Sequence, residues 1–136
     1  MVRPINRNIL ILSKPCEPAT TKDISVGDDL LDTLKANAYG CVGMAANMIG
    51  VTKRIIVFNN GLFNELMFNP EIIEKSGAYD TMEGCLSLVG ERPCTRYENI
   101  TVKYQDRTFA WHTRSFSGYT AEIIQHEIDH CNGIII

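Results

Sequence analysis

The chain has 136 residues, enough for one compact domain with a single core, and its 45% apolar and 21% charged residues fit a soluble globular protein. A formal charge of −3 leaves no basic excess to track a phosphate backbone, which excludes nucleic-acid binding as the main activity. No apolar run approaches the roughly 20 residues that span a bilayer, and residues 9–12 are too short for a signal-peptide core, so a cytoplasmic protein without membrane contact is expected.

The predicted elements follow in chain order. Leu30, Leu31 and Leu34 recur at helical spacing over residues 27–38, with Asp28 and Asp29 in the first turn and Gly40 where the helix would stop. Residues 54–58 read Arg-Ile-Ile-Val-Phe, a short apolar strand, and Asn59-Asn60-Gly61 marks a turn. Residues 62–68, before Asn69-Pro70, read as a second strand. Residues 100–104 alternate, Asp106-Arg107 turns, and 108–116 return as a hairpin partner. A final helix over 120–131 closes at Asn132-Gly133, and 134–136 would be a last short strand. No repeat or linker interrupts the chain. The expected fold is therefore one α+β domain, residues 1–136, with antiparallel sheets packed around a central metal-binding helix.

That helix contains His126-Glu127-Ile128-Asp129-His130. Residues four apart share a helix face, so both imidazoles reach a single divalent ion, and Glu127 beside it can take a proton from the ion's water. A surface helix that binds nothing is the plainer alternative, but two of only three histidines fall in this pattern. His112 reads as a structural or exposed strand residue. A catalytic metal usually takes three protein ligands, and residues 131–136 hold no His, Asp or Glu; the position a longer motif would fill with His is Ile136. Cys131 points about 100° away from His130, so the third ligand is sought upstream. Five cysteines, Cys16, Cys41, Cys85, Cys94 and Cys131, contain no CxxC pair and suggest no disulfide framework. Cys85 stands out among them, because Gly84 beside it allows a close backbone approach and Glu83 flanks it. Cys41 and Cys94 have no comparable surroundings.

Three motifs, in order, resemble the peptide deformylases: Cys41-Val42-Gly43-Met44-Ala45-Ala46-Asn47-Met48, then Glu83-Gly84-Cys85-Leu86-Ser87, then Gln125-His126-Glu127-Ile128-Asp129-His130. The resemblance runs from about residue 9 to 133. It implies ligation of one metal ion by Cys85, His126 and His130, with Fe²⁺ expected and Zn²⁺, Ni²⁺ or Co²⁺ as substitutes. It also implies removal of the N-formyl group from the initiator methionine of new bacterial polypeptides, with Glu127 moving the proton. The backbone N–H of Leu86 would hold the oxyanion. Val42, Gly43 and Gly84 would contact the substrate backbone, and Arg92 would stand near the substrate entrance.

The sequence departs from the family in three places. The first motif usually reads GxGxAAxQ; here Cys41 replaces its first glycine and Met48 its glutamine, and a thioether cannot donate the hydrogen bond that glutamine gives the reacting carbonyl. Asn47 is a candidate substitute. Glu122, one turn before His126, stands where members place an apolar residue near the methionine pocket. No C-terminal helix of the kind many members carry follows residue 133, so ribosome docking is not expected. Two other readings compete: a catalytically quiet metal-binding relative, and a metallohydrolase of another small N-acyl amide. Intact Glu127 argues against the first of these.

Overall fold

In the computed structural model, which describes residues 1–85 and 87–135, the class is α+β: one five-stranded antiparallel sheet with helices against both faces. A short helix, α1 (Ile9–Leu12), opens the chain, capped by the Asn8 side chain on the Leu10 N–H at 3.0 Å. Thr20 and Asp23 form a reciprocal capping box around a 3-10 turn, Thr21–Asp23, that launches α2 (Ile24–Ala36). The expected helix start at 27 is three residues late because the cap is this box. Asp28 and Asp29 lie within the helix and accept hydrogen bonds from Arg107 and Arg3.

The strands are β1 (Gly43–Ala45), β2 (Ile55–Asn59), β3 (Asn64–Cys85), β4 (Leu88–Gln105) and β5 (Trp111–Ser117), hydrogen-bonded in that spatial order. A 3-10 turn, Ala46–Ile49, follows β1. The turn after β2 is built by Asn60, whose Oδ1 accepts from the Leu62 and Phe63 N–H groups at 2.9 and 3.0 Å. The strand expected over 62–68 does not end at Asn69-Pro70. Its register shifts between Phe68 and Glu71, and the strand continues to Cys85. Proline has no N–H to give the ladder, so a bulge forms there. Asn69, at φ 51°, anchors it by donating to Ala19 O at 3.0 Å and Gln105 Oε1 at 2.7 Å.

β5 begins at Trp111 rather than 108. Asp106 Oδ1 accepts from the Thr108 and Ala110 N–H groups at 2.8 and 3.1 Å, which keeps residues 106–110 in the turn. The final helix, α3 (Gly118–Cys131), starts two residues earlier than expected. Ile134 and Ile135 form no strand, contrary to expectation. The Ile134 N–H is spent on Asp129 O at 3.0 Å, closing the helix, and Ile136 lies outside the described residues. Gly133 is needed at this exit: its φ is 74°, and a Cβ would lie 2.5 Å from Ser13 O.

β2 shows how the core is divided. Ile55 and Val57 face one layer with Leu12, Leu30, Leu34 and Phe68, while Ile56 and Phe58 face the other with Met67, Val102, Ile124 and Ile128. Burial on both faces explains why this strand reads as an unbroken apolar run. The far half of the β3–β4 hairpin runs beyond β5, whose pairing with β4 stops at Asn99 and Ser117. There α3 takes over the free edge of β4. Gln125 accepts from the Tyr97 N–H and donates to Tyr97 O, both at 2.8 Å, standing in for a strand. The hairpin end that carries Cys85 is thereby held against α3.

Phe68 is fully buried and packs on Phe109 with ring centroids 4.7 Å apart. Phe68→Ala is expected to cost about 3–5 kcal/mol, read as a lower urea midpoint at unchanged slope.

Candidate metal centre

Helix α3 presents buried polar side chains to the sheet as well as apolar ones: Gln125, His126, Glu127 and His130 are all buried. His126 and His130 stand one turn apart with their Nε2 atoms 3.0 Å from each other. Cys85, at the end of β3, completes the group: its Sγ and a ring nitrogen of each histidine lie within 4.8 Å of one another. Ser87 N–H donates to Cys85 Sγ at 3.4 Å, which fixes the direction of the sulfur. The structure therefore brings together the three residues named from sequence, and the sulfur-plus-two-nitrogen set fits a borderline-soft divalent cation. Cys131 is buried away from this cluster, its carbonyl accepting from Cys16 N–H at 2.8 Å. His112 is exposed on β5 and bonded to Asp106 at 2.6 Å, a structural surface residue.

A second tier holds the first. Glu83 Oε1 lies 2.6 Å from His126 Nδ1, and Arg96 donates to the same carboxylate from Nε at 3.0 Å and from its terminal nitrogen at 2.8 Å. The other terminal nitrogen reaches Asp129 at 2.6 Å. Burial alone would raise the Glu83 pKa, yet the His126 and Arg96 hydrogen bonds hold it well below the usual carboxylate range. With a proton on Nδ1 facing Glu83, His126 directs its Nε2 toward His130 and Cys85, the orientation a ligand needs. Burial pulls the His126 pKa down, but Cys85 and Glu83 outweigh it and carry it up to about 10. Burial, reinforced by neighbouring His126, lowers His130 to about 3. The two close ring nitrogens and the Cys85 sulfur form a place where a divalent cation can sit. Sequence reading singled out Glu83 only as a neighbour of Cys85, and nothing in the sequence pointed to Arg96.

Glu127 is 4% exposed, its Oε1 has no hydrogen-bond partner among the described residues, and burial pushes its carboxyl up to about 7. Gly43 lies against it: a Cβ there would come within 2.9 Å of Glu127 Oε2 and 2.7 Å of Ile123 Cγ2, so only glycine lets β1 approach the helix this closely. A cleft of about 780 Å³ opens over this group, and its lining includes Val42, Gly43, Gly84, Cys85, His126 and Glu127. Arg92 is not among the lining residues; it lies on β4, paired in register with Glu83. Leu86, expected to offer the oxyanion N–H, lies outside the described residues. Met48 lines the cleft. Asn47 does not replace the missing glutamine there, since its amide donates to His130 O at 2.8 Å. Glu122 also lines the cleft, and burial together with adjacent Glu83 raises its carboxyl to about 7.

The polypeptide deformylase family model matches residues 3–136. The chain belongs to the peptide deformylase family. A peptide deformylase from Clostridium beijerinckii is 54% identical over 136 residues, the whole of both chains. One from Carboxydothermus hydrogenoformans is 40% identical over 125 residues, 91% of this chain and 81% of that one. Among solved structures, the Met-Ala-Ser-bound class I type b peptide deformylase from Acinetobacter baumannii superposes with a TM-score of 0.89 at 28% identity, covering 99% of this chain and 97% of the other. The actinonin-bound form of that enzyme gives 0.88 at 30% identity, covering 99% and 95%. The chain is accordingly an enzyme of the deformylase class, a hydrolase.

Arg96→Met would leave the buried Glu83 carboxylate without its ion-pair partner and is expected to cost about 3–5 kcal/mol in urea unfolding. Because Glu83 is held below its ordinary value of 4.5, its contribution is complete above that pH and is lost progressively as the pH falls further. Glu83→Gln should flatten that acid limb of stability against pH.

Proposed function

We propose that this chain is a metal-dependent hydrolase that removes the formyl group from the N-terminal formylmethionine of nascent polypeptides, with residues 1–136 acting as one catalytic domain in the cytoplasm. The observation that carries this reading is the convergence of the Cys85, His126 and His130 donor atoms within 4.8 Å of one another, with buried Glu127 on the same helix. One thiolate with two imidazoles suits Fe²⁺, with Zn²⁺, Ni²⁺ or Co²⁺ able to take its place. When bound, the ion supplies Lewis acidity toward a carbonyl oxygen and a water.

The chain's own residues account for the remaining steps. Cys85, His126 and His130 hold the ion, and the Glu83 hydrogen bond keeps His126 aimed at it. Glu127 takes the proton of the attacking water and passes it to the leaving amine; a carboxyl near 7 is matched to transfer in both directions at neutral pH. Among the described residues β1 pairs with β2 alone, so its other edge can align an extended peptide beside Val42 and Gly43, with Gly84 also lining the cleft. The relatives solved with Met-Ala-Ser and with actinonin support a peptide in this cleft. Among the described residues no helix is long and apolar enough to cross a membrane. Ribosome docking is not part of the proposal.

The deciding measurement is anaerobic release of formate from formyl-Met-Ala by protein loaded with Fe²⁺ or Ni²⁺. Glu127→Ala should keep its ion and lose about 10²- to 10⁴-fold in rate, whereas Cys85→Ala should lose the ion itself. No formate from fully loaded wild type would leave the quiet relative or another amide as the function. Met48 is the feature that favours a slow reaction, because no side-chain donor replaces glutamine there. Met48→Gln should raise kcat by up to about 10²-fold; an unchanged kcat would show that the reaction does not depend on a donor at this position.

A further inference from the structure

The end of α3 meets the N-terminal segment at a pair of thiols that the metal cluster does not use. Cys131 directly follows His130, and its side chain is fully buried. Cys16 N–H donates to Cys131 O at 2.8 Å. The covalent spans from that N and that O back to their own Cα atoms leave the two Cα atoms no more than about 6.7 Å apart. Disulfides join residues whose Cα atoms are about 4.4–6.8 Å apart. Both thiols are free, and the Cys16 sulfur is close enough for its charge to be felt at Cys131.

The approach is built into the fold from both sides. Glu17 N–H donates to Thr52 O at 3.0 Å and Arg54 N–H donates to Glu17 O at 2.9 Å, which holds Cys16 beside the start of β2. Arg54 Nη1 reaches Asn132 Oδ1 at 2.8 Å, next to Cys131. Gly133 packs so closely on the incoming chain that a Cβ there would lie 2.5 Å from Ser13 O. Residues 13–17 therefore run along the exit of α3 in a fixed register. The two thiols differ in access: Cys16 is partly exposed, and Cys131 is reached only from within. Neither lines the cleft, so the pair is separate from the place where a peptide would bind.

We propose that Cys16 and Cys131 are a modification site for small-molecule disulfides, which convert the pair into a reversible bond locking the end of α3 that carries His130 to the N-terminal segment. The Cys16 thiolate attacks the S–S bond of the small disulfide, and one half leaves as a thiolate that takes up a proton. The Cys131 thiolate then attacks the Cys16 sulfur and displaces the other half. The protein dithiol is oxidised and the small disulfide is reduced to two thiols, which carry the two protons that Cys16 and Cys131 release. The new bond closes a loop spanning most of the chain, the kind of cross-link that restricts the unfolded state most. A bond of this sort in a reducing compartment is transient and answers to redox state.

The test incubates the Ni²⁺-loaded protein with oxidised glutathione in mildly alkaline buffer, alkylates the remaining thiols and maps cross-linked peptides by mass spectrometry without reduction. The expected product is a peptide pair joined through Cys16 and Cys131, two hydrogens lighter than its reduced parts and separated by dithiothreitol. The urea midpoint should rise by roughly 1–2 M and return on reduction. Cys16→Ser, at a partly exposed position, should fold and lose both the cross-link and the shift, while Cys94→Ser should keep both. Glutathione left on Cys16 with Cys131 unjoined overturns the proposal. So does a cross-link through Cys41, Cys85 or Cys94 in its place, or a Cys16–Cys131 bond that leaves the urea midpoint unchanged.

Discussion

A buried carboxylate, Glu83, ties the helix that carries His126 and His130 to the hairpin that carries Cys85. It accepts from Arg96 twice and from His126 once, and Arg96 reaches on to Asp129 one helical turn from Gln125. Two charges taken out of water are costly, and such a pair holds only when its hydrogen bonds are nearly all made. Here they are made across three elements, β3, β4 and α3, so the geometry of the centre is held by Glu83, Arg96 and Asp129, which lie outside the Cys85, His126 and His130 cluster. Glu83 is two residues from Cys85 on its strand and bonded to His126 on the helix. The distance between sulfur and imidazole is set by that single side chain more directly than by any apolar contact.

Around this anchor the molecule separates stability from chemistry. The layer of α1, α2 and Phe68 on one face of the sheet is apolar, while the α3 face mixes Ile124 and Ile128 with buried Gln125, His126, Glu127 and His130. Gln125 is satisfied by Tyr97, and His126 by Glu83. Among the described residues Glu127 Oε1 and His130 Nδ1 have no partner. Buried polar atoms left unpaired cost stability, and these two belong to the helix motif that faces the Cys85 cluster. A fold tolerates such a cost where ligand atoms meet the protein, and the surrounding apolar packing offsets it.

Asn47 turns its amide to the His130 carbonyl, so it braces the helix and leaves the reacting carbonyl to other groups, and Met48 contributes only volume to the lining. Cys41 lines the same cleft; its thiol donates to Gly43 O at 3.0 Å, and burial together with the charge of Glu127 pushes it up to about 12. That thiol is kept protonated and out of the ligand set. Two thiols thus lie in one cleft in different surroundings, Cys85 beside two imidazoles and an inward-pointing N–H, Cys41 beside a carboxylate.

The sequence by itself determined the central helix, the pairing of His126 with His130 and the place of Glu127, because helical periodicity is local and four-residue spacing alone puts two side chains on one face. It also pointed to Cys85, through the lack of ligands downstream and through the motif around it, and it indicated the α+β class and β2, whose burial on both faces leaves an unbroken apolar run. Only the tertiary structure decided the rest. The far half of the β3–β4 hairpin was illegible since residues 71–81 are mostly exposed and polar, with no apolar alternation to read; its strands exist because they pair with each other and because Gln125 satisfies the edge of β4. Arg96 and its hold on Glu83 were equally hidden, thirteen residues apart in sequence and joined only by the hairpin register. Asn47 looked available until the fold brought the His130 carbonyl within 2.8 Å of its amide. Local spacing specifies which residue types can do the chemistry, while long-range hydrogen bonding specifies which of them are free to do it.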